Sequence, residues 1–217
     1  MPNQKVTLIR HGESEAQTCR QRGLRRTDPS LLDCFLTPYG IHQAIELSNR
    51  VDLIEGVDLV CTSPLTRAVA TCVLGLGELS SSANHNANEG RGAVPVPFIC
   101  HADLAERGKL PEHTTRPPNT VVRYLKKQLR HFHPAALHAL DSIDFSFLDE
   151  THDGMPFLRW LARRTESNIV VVCHHNVILQ LLKGHYCDQV RKCEPIVCTW
   201  KSGRLIPHPK LKIKDKK

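Results

Sequence analysis

A chain of 217 residues, 41% hydrophobic and 24% charged, is long enough to bury one sizeable core. Its formal net charge of +7 is partly a tail effect: Lys210, Lys212, Lys214, Lys216 and Lys217 against Asp215 give +4 and leave +3 for residues 1–209. With only 5% aromatic residues and no nucleic-acid fold motif the chain does not read as a nucleic-acid binder, and with no run of 18 apolar residues it excludes a transmembrane helix.

The first strand is predicted near 5–9, from the apolar run Val6-Thr7-Leu8-Ile9, and Arg10-His11-Gly12 follows it directly. In open α/β sheets the carboxyl ends of the strands are where ligands bind. A neutral imidazole is a nucleophile toward phosphorus, and an adjacent guanidinium can hold two phosphate oxygens while disfavouring protonation of the ring. Arg10 and His11 are therefore candidates for phosphoryl transfer. A helix is predicted near 39–51 and a second strand near 57–61. Ser63 reads as the N-cap of a helix over 64–78, with Pro64 at its first position. Arg67 then falls in the first turn, where free amides attract an anion.

The polar segment 80–92 reads as a surface loop, followed by a strand near 96–100 and then Leu104-Ala105-Glu106, which supplies the acid that a leaving oxygen would need. Residues 107–148 interrupt the alternation of strands and helices with Pro111, Pro117, Pro118 and Pro134, and include a helix near 119–131. A helix near 153–165, a strand near 168–173, the polar break His174-His175-Asn176, a helix near 175–184 and a strand near 195–200 complete the pattern. Alternation of this kind predicts an α/β fold, a doubly wound, mostly parallel sheet flanked by helices, in one domain over 1–209 with a disordered basic tail over 210–217.

Taken together these segments resemble the histidine phosphatase superfamily, which includes the cofactor-dependent phosphoglycerate mutases. The resemblance rests on Arg10-His11-Gly12, Leu36-Thr37-Pro38-Tyr39-Gly40 with Gln43-Ala44, Ser63-Pro64-Leu65-Thr66-Arg67-Ala68, Leu104-Ala105-Glu106 and His174, in the family's order. It implies a phosphoglycerate mutase-like three-layer sandwich in which His11 becomes a phosphohistidine, Arg10, Arg67 and His174 neutralise phosphate oxygens, and Glu106 is general acid and base. It implies no metal and no cofactor, because arginines supply the positive charge. The family's asparagine stands here as Gln17, an amide on a longer arm, and its glycine after the second histidine stands as His175, which would narrow the pocket or add a cation. Residues 107–148 correspond to a cap-like insertion, in which Arg116, Lys126 and Arg130 are either substrate contacts or solvated residues on a helix.

The resemblance favours a phosphomonoester hydrolase over a mutase-type phosphotransferase, and both over a member that only binds a phosphorylated ligand. The expected partner is a small phosphomonoester, with a phosphoprotein left open; oligomeric state is not legible. Nine cysteines, an odd number, several in apolar strand contexts, read as reduced thiols, and Cys187, Cys193 and Cys198 with His185 lack paired zinc-ligand spacing. The expected location is the cytoplasm.

Overall fold

A computed structural model describes residues 4–19, 23–50, 55–81, 94–132, 134–148, 156–183 and 189–208. Seven strands form one sheet: β1 (Gln4–Arg10), β2 (Leu59–Thr62), β3 (Phe98–Cys100), β4 (Ile143–Asp144), β5 (Asn168–Cys173), β6 (Pro195–Lys201) and β7 (Arg204–Pro207), in the order β4-β3-β2-β5-β1-β6-β7. The first five pair in parallel, and β6 and β7 add an antiparallel edge. The doubly wound α/β fold and five of its strands were legible as β-branched and aliphatic runs.

Period-two alternation divides the core between the two faces of the sheet. Ile9, Val60, Phe98, Val170 and Val172 pack toward α2 (Pro38–Ile45), α3 (Thr66–Leu76), α4 (Pro118–Leu129) and α5 (Pro134–Ser142). Val6, Leu8, Leu59, Ile169 and Val171 pack toward α6 (Phe157–Leu161) and α7 (His175–Leu182). β5 is covered on both faces, with Ile169 to Cys173 wholly buried. Each such aliphatic side chain contributes about 1.5–3 kcal/mol relative to exposure. Residues 118–144, expected to lie outside the strand-helix alternation, supply two helices to this core and β4 to the sheet edge. The eight described cysteines are all unpaired, and seven of them are buried.

Helix boundaries moved where tertiary contacts decide them. α3 starts at Thr66, with Leu65 as its N-cap, and Ser63 does not cap it. The Ser63 amide instead donates to Val172 O at 3.0 Å, extending the β2–β5 ladder by one residue, so the backbone there is still extended. The first turn of α3 is satisfied from 33 residues away: Thr66 N and Oγ1 donate to the buried carboxyl of Asp33 at 2.8 and 2.6 Å. The helix expected over 153–165 is the five-residue α6, and 153–155 lie outside the described residues, as do 184 and the tail 210–217.

The turn after β1, which leads into the short α1 (Glu15–Thr18), is clamped by the start of α2. Thr37 N donates to Glu13 O at 2.8 Å, Glu15 N to Phe35 O at 3.0 Å, and Glu13 N to Gln43 Oε1 at 2.9 Å. The two backbones meet at glycines: a Cβ on Gly12 would lie 2.5 Å from Gly40 O, and one on Gly40 would lie 2.0 Å from Glu13 O.

Candidate active site

Three neighbouring strands, β2, β5 and β1, end at the same edge, and the ladder runs one residue past each of β1 and β2: His11 N donates to Cys173 O and Ser63 N to Val172 O, both at 3.0 Å. That continuation fixes the backbones that carry His11, Ser63 and His174. The two imidazoles face one another with ring centres 5.0 Å apart.

His11 is 2% exposed, and its Nδ1 lies 2.6 Å from Gly12 O. A carbonyl only accepts, so Nδ1 carries the hydrogen and Nε2 keeps its lone pair. Arg67 Nε donates to that Nε2 at 3.3 Å. Burial first, and then the Arg67 guanidinium, push the His11 pKa well below its ordinary value. The ring is thereby held neutral and oriented, which is the state a nucleophile needs.

Arg67, itself 2% exposed, is spread over three partners: His11, Glu112 O at 2.7 Å from Nη1, and Glu106 Oε2 at 3.3 Å from Nη2. Glu106 Oε1 accepts from Asn176 Nδ2 at 2.9 Å, and the turn that carries Glu106 starts at His101, whose Nδ1 accepts from Asp103 N at 3.2 Å. Arg10 Nη1 donates to Val190 O at 3.0 Å, and its buried Nε has no hydrogen-bond partner. His174 is wholly buried; its Nε2 meets Ser63 Oγ at 2.8 Å, while Nδ1, without a hydrogen-bond partner, lies 3.9 Å from Glu106 Oε2. The Ser63 hydroxyl can donate or accept, so it accommodates either charge state of His174.

A cavity of about 240 Å³ is bordered by Arg10, His11, Arg67 and Glu106, together with Ser14, Gln17, Arg26, Glu112, His175 and Asn176. Gln17 and His175 therefore both reach it, Gln17 with its Oε1 accepting from Ser14 N at 3.2 Å. His174 stands just behind, against Glu106. Arg116, Lys126 and Arg130 do not border the cavity: Arg116 donates to Leu32 O, Lys126 pairs with Asp141, and Arg130 donates to His131. Ser14, Arg26, Glu112 and Asn176 were not foreseen as site residues; their places come from tertiary contacts that no local pattern marks. Among the described residues no group of three or more His, Cys, Asp or Glu side chains is arranged to hold a metal ion, and no helix is long and apolar enough to cross a membrane.

His174, like His11, is pushed well below its ordinary pKa of 6.5 chiefly by burial, and His101 is lowered for the same reason. The unfolded chain therefore takes up protons below about pH 6.5 that the folded chain refuses, and stability falls as pH drops through that value. Urea midpoints measured from pH 7.5 down to 5.5 are expected to decrease steadily; a flat profile would contradict three neutral buried imidazoles.

The sequence profile of the histidine phosphatase superfamily (branch 1) matches residues 6–190. A phosphoglycerate mutase-like protein of Arabidopsis thaliana is 23% identical over 219 residues, covering 86% of this chain and 78% of the relative. Among solved structures, the alpha-ribazole phosphatase of Shigella flexneri is similar at 22% identity, TM-score 0.51, with 94% of each chain covered. The ecdysone phosphate phosphatase of Bombix mori, in complex with tungstate, is similar at 15% identity, TM-score 0.56, over 95% of this chain and 92% of that one. By the span of the profile match, and with its motif residues assembled at one sheet edge, the chain belongs to the histidine phosphatase superfamily (branch 1).

Proposed function

We propose that this protein hydrolyses phosphomonoesters through a phosphohistidine on His11, with Glu106 as general acid and base. The observation that carries the reading is the His11 Nε2 lone pair, held toward a polar cavity by the Nδ1–Gly12 O bond and flanked by Arg67. Nε2 attacks phosphorus in line as the P–O bond to the alcohol breaks. Arg10, Arg67 and a proton-bearing Nδ1 of His174 take up charge on the phosphoryl oxygens, and Gln17 and His175 border the same space. Glu106 gives a proton to the departing oxygen and then takes one from the water that releases phosphate. Because phosphoryl transfer asks mainly for positioning and charge stabilisation, the arginines meet its electrostatic demand without a cofactor.

Both solved structures named above are phosphatases by name, and the curated relative is mutase-like. Their likeness bears on the fold; the site chemistry serves hydrolysis and phosphotransfer alike, and hydrolysis is preferred on the resemblance of the motif residues given above. Every described side chain bordering the cavity is polar or charged, which suits a small polar alcohol better than a nucleobase that needs a stacking surface.

Incubation with a ³²P-labelled small phosphomonoester, followed by an alkaline quench, is expected to trap label on the peptide that contains His11, alongside release of inorganic phosphate. Label retained and passed to a second hydroxyl instead of water would make the protein a mutase. No labelled protein and no released phosphate across a substrate panel would leave only ligand binding.

A further inference from the structure

Two carboxylates, Glu106 and Glu112, border the same small cavity, and the His113 imidazole stands between them. Its Nε2 lies 3.6 Å from Glu106 Oε2 and 3.7 Å from Glu112 Oε1. The side chain is 10% exposed, and its Nδ1 is buried without a hydrogen-bond partner, so the ring communicates with the site through Nε2 alone. Carboxylates only accept, which makes Nε2 the nitrogen that presents a proton to both. The backbone leaves room for this placement at one point: a Cβ on Gly108 would lie 2.3 Å from His113 Nδ1, and its three nearest atoms all belong to the His113 ring.

The two carboxylates have different company. Glu112 is paired with Arg26 and is thereby committed. Glu106 shares its oxygens between Arg67 and Asn176 and faces His174, beside the His11 nucleophile. A proton on His113 Nε2 is therefore within short reach of the one carboxylate that works at the reacting centre.

We propose that His113 is a proton-relay residue that acts through Glu106; this rests on the hydrolase reading above. The relay runs through the protonated form of its ring, between Glu106 and Glu112, with Arg26, Arg67 and His174 as the other charged or titratable groups around it. As the P–O bond to the alcohol breaks and the P–N bond to His11 forms, the proton of His113 passes through the Glu106 carboxylate to the departing oxygen, leaving His113 neutral and Glu106 again a carboxylate. When water attacks phosphorus and the P–N bond breaks, the water proton passes to Glu106 and returns to His113. Over one cycle a proton of water ends on the alcohol, and every residue is restored.

The test compares kcat/KM of the full-length protein for glycerol 1-phosphate, whose alkoxide needs a proton to leave, with that for 4-nitrophenyl phosphate, whose phenolate does not. In His113→Gln, which keeps an N–H toward the carboxylates but cannot relay a proton, the alkyl-to-aryl ratio is expected to fall about a hundredfold, the lower end of what general acid–base catalysis supplies. Gly108→Ala, which displaces the same ring, is expected to shift the ratio in the same direction. Equal losses on both substrates, or a wild-type ratio in His113→Gln, would show that the imidazole only spaces the carboxylates and would overturn the relay. A wild-type protein that hydrolyses neither substrate overturns the hydrolase reading, and the relay with it.

Discussion

His11→Ala is expected to lower kcat/KM for phosphate release by at least about four orders of magnitude while the protein stays folded. The size of the loss follows from what remains. On the proposed mechanism Arg10, Arg67 and Glu106 would still hold a phosphoryl group without the ring, but water would have to attack in one step from a position the site does not organise. The fold should survive, because the ring's hydrogen bonds run to its neighbour Gly12 and to Arg67, and Arg67 keeps its bonds to Glu112 O and Glu106. Steady-state turnover measured beside a thermal melt is the check. A folded variant with more than about a hundredth of wild-type activity would mean that another group is the nucleophile. Arg67→Ala is a less clean probe, because it removes a bond to the Glu112 carbonyl as well as the proposed phosphate contact.

The largest expected effect on stability is at Gly40. A Cβ there would lie 2.0 Å from Glu13 O and 2.7 Å from Glu13 N, both backbone atoms that cannot rotate away. Gly40→Ala therefore forces the start of α2 off the turn that carries the His11 motif, at the expense of the bonds between residues 13–15 and 35–43. Overpacking of this kind costs about 3 kcal/mol or more where backbone meets backbone, and urea denaturation is expected to show it as a lower midpoint at unchanged slope. The conformation itself is not the issue, since Gly40 sits in a right-handed helix. A loss under about 1 kcal/mol would mean that the two segments slide apart at little cost.

The parts of the fold that were legible in the sequence are those whose cause is local. β1, β2, β3, β5 and β6 announce themselves as apolar runs, and α4 by Val121, Leu125 and Leu129 recurring on one face. β4 has two residues and leaves no periodic trace. β7 did leave one: Ser202-Gly203, with φ of 50° and 77°, is a two-residue hairpin turn between short strands, and that signal was available. In the site, the residues that follow strand ends or open a helix, Arg10, His11, Arg67, His174 and Glu106, were placed by position. Those that hold them were not. Ser63 reads in the sequence as a helix N-cap, yet it does not cap the helix and its side chain meets His174, 111 residues away; Asp33 and Glu112 likewise meet Thr66 and Arg67 only once the chain is folded. Spacing along the chain cannot encode such pairings.

The buried thiols give the chain a built-in reporter. Burial raises Cys173 and Cys198 to about 12, so almost none of their thiolate exists near neutrality and an alkylating reagent finds little to attack while the sheet is closed. Cys61, Cys100 and Cys173 belong to three adjacent strands, so labelling of each in turn would time the opening of the β3–β2–β5 layer, strand by strand, without an added probe.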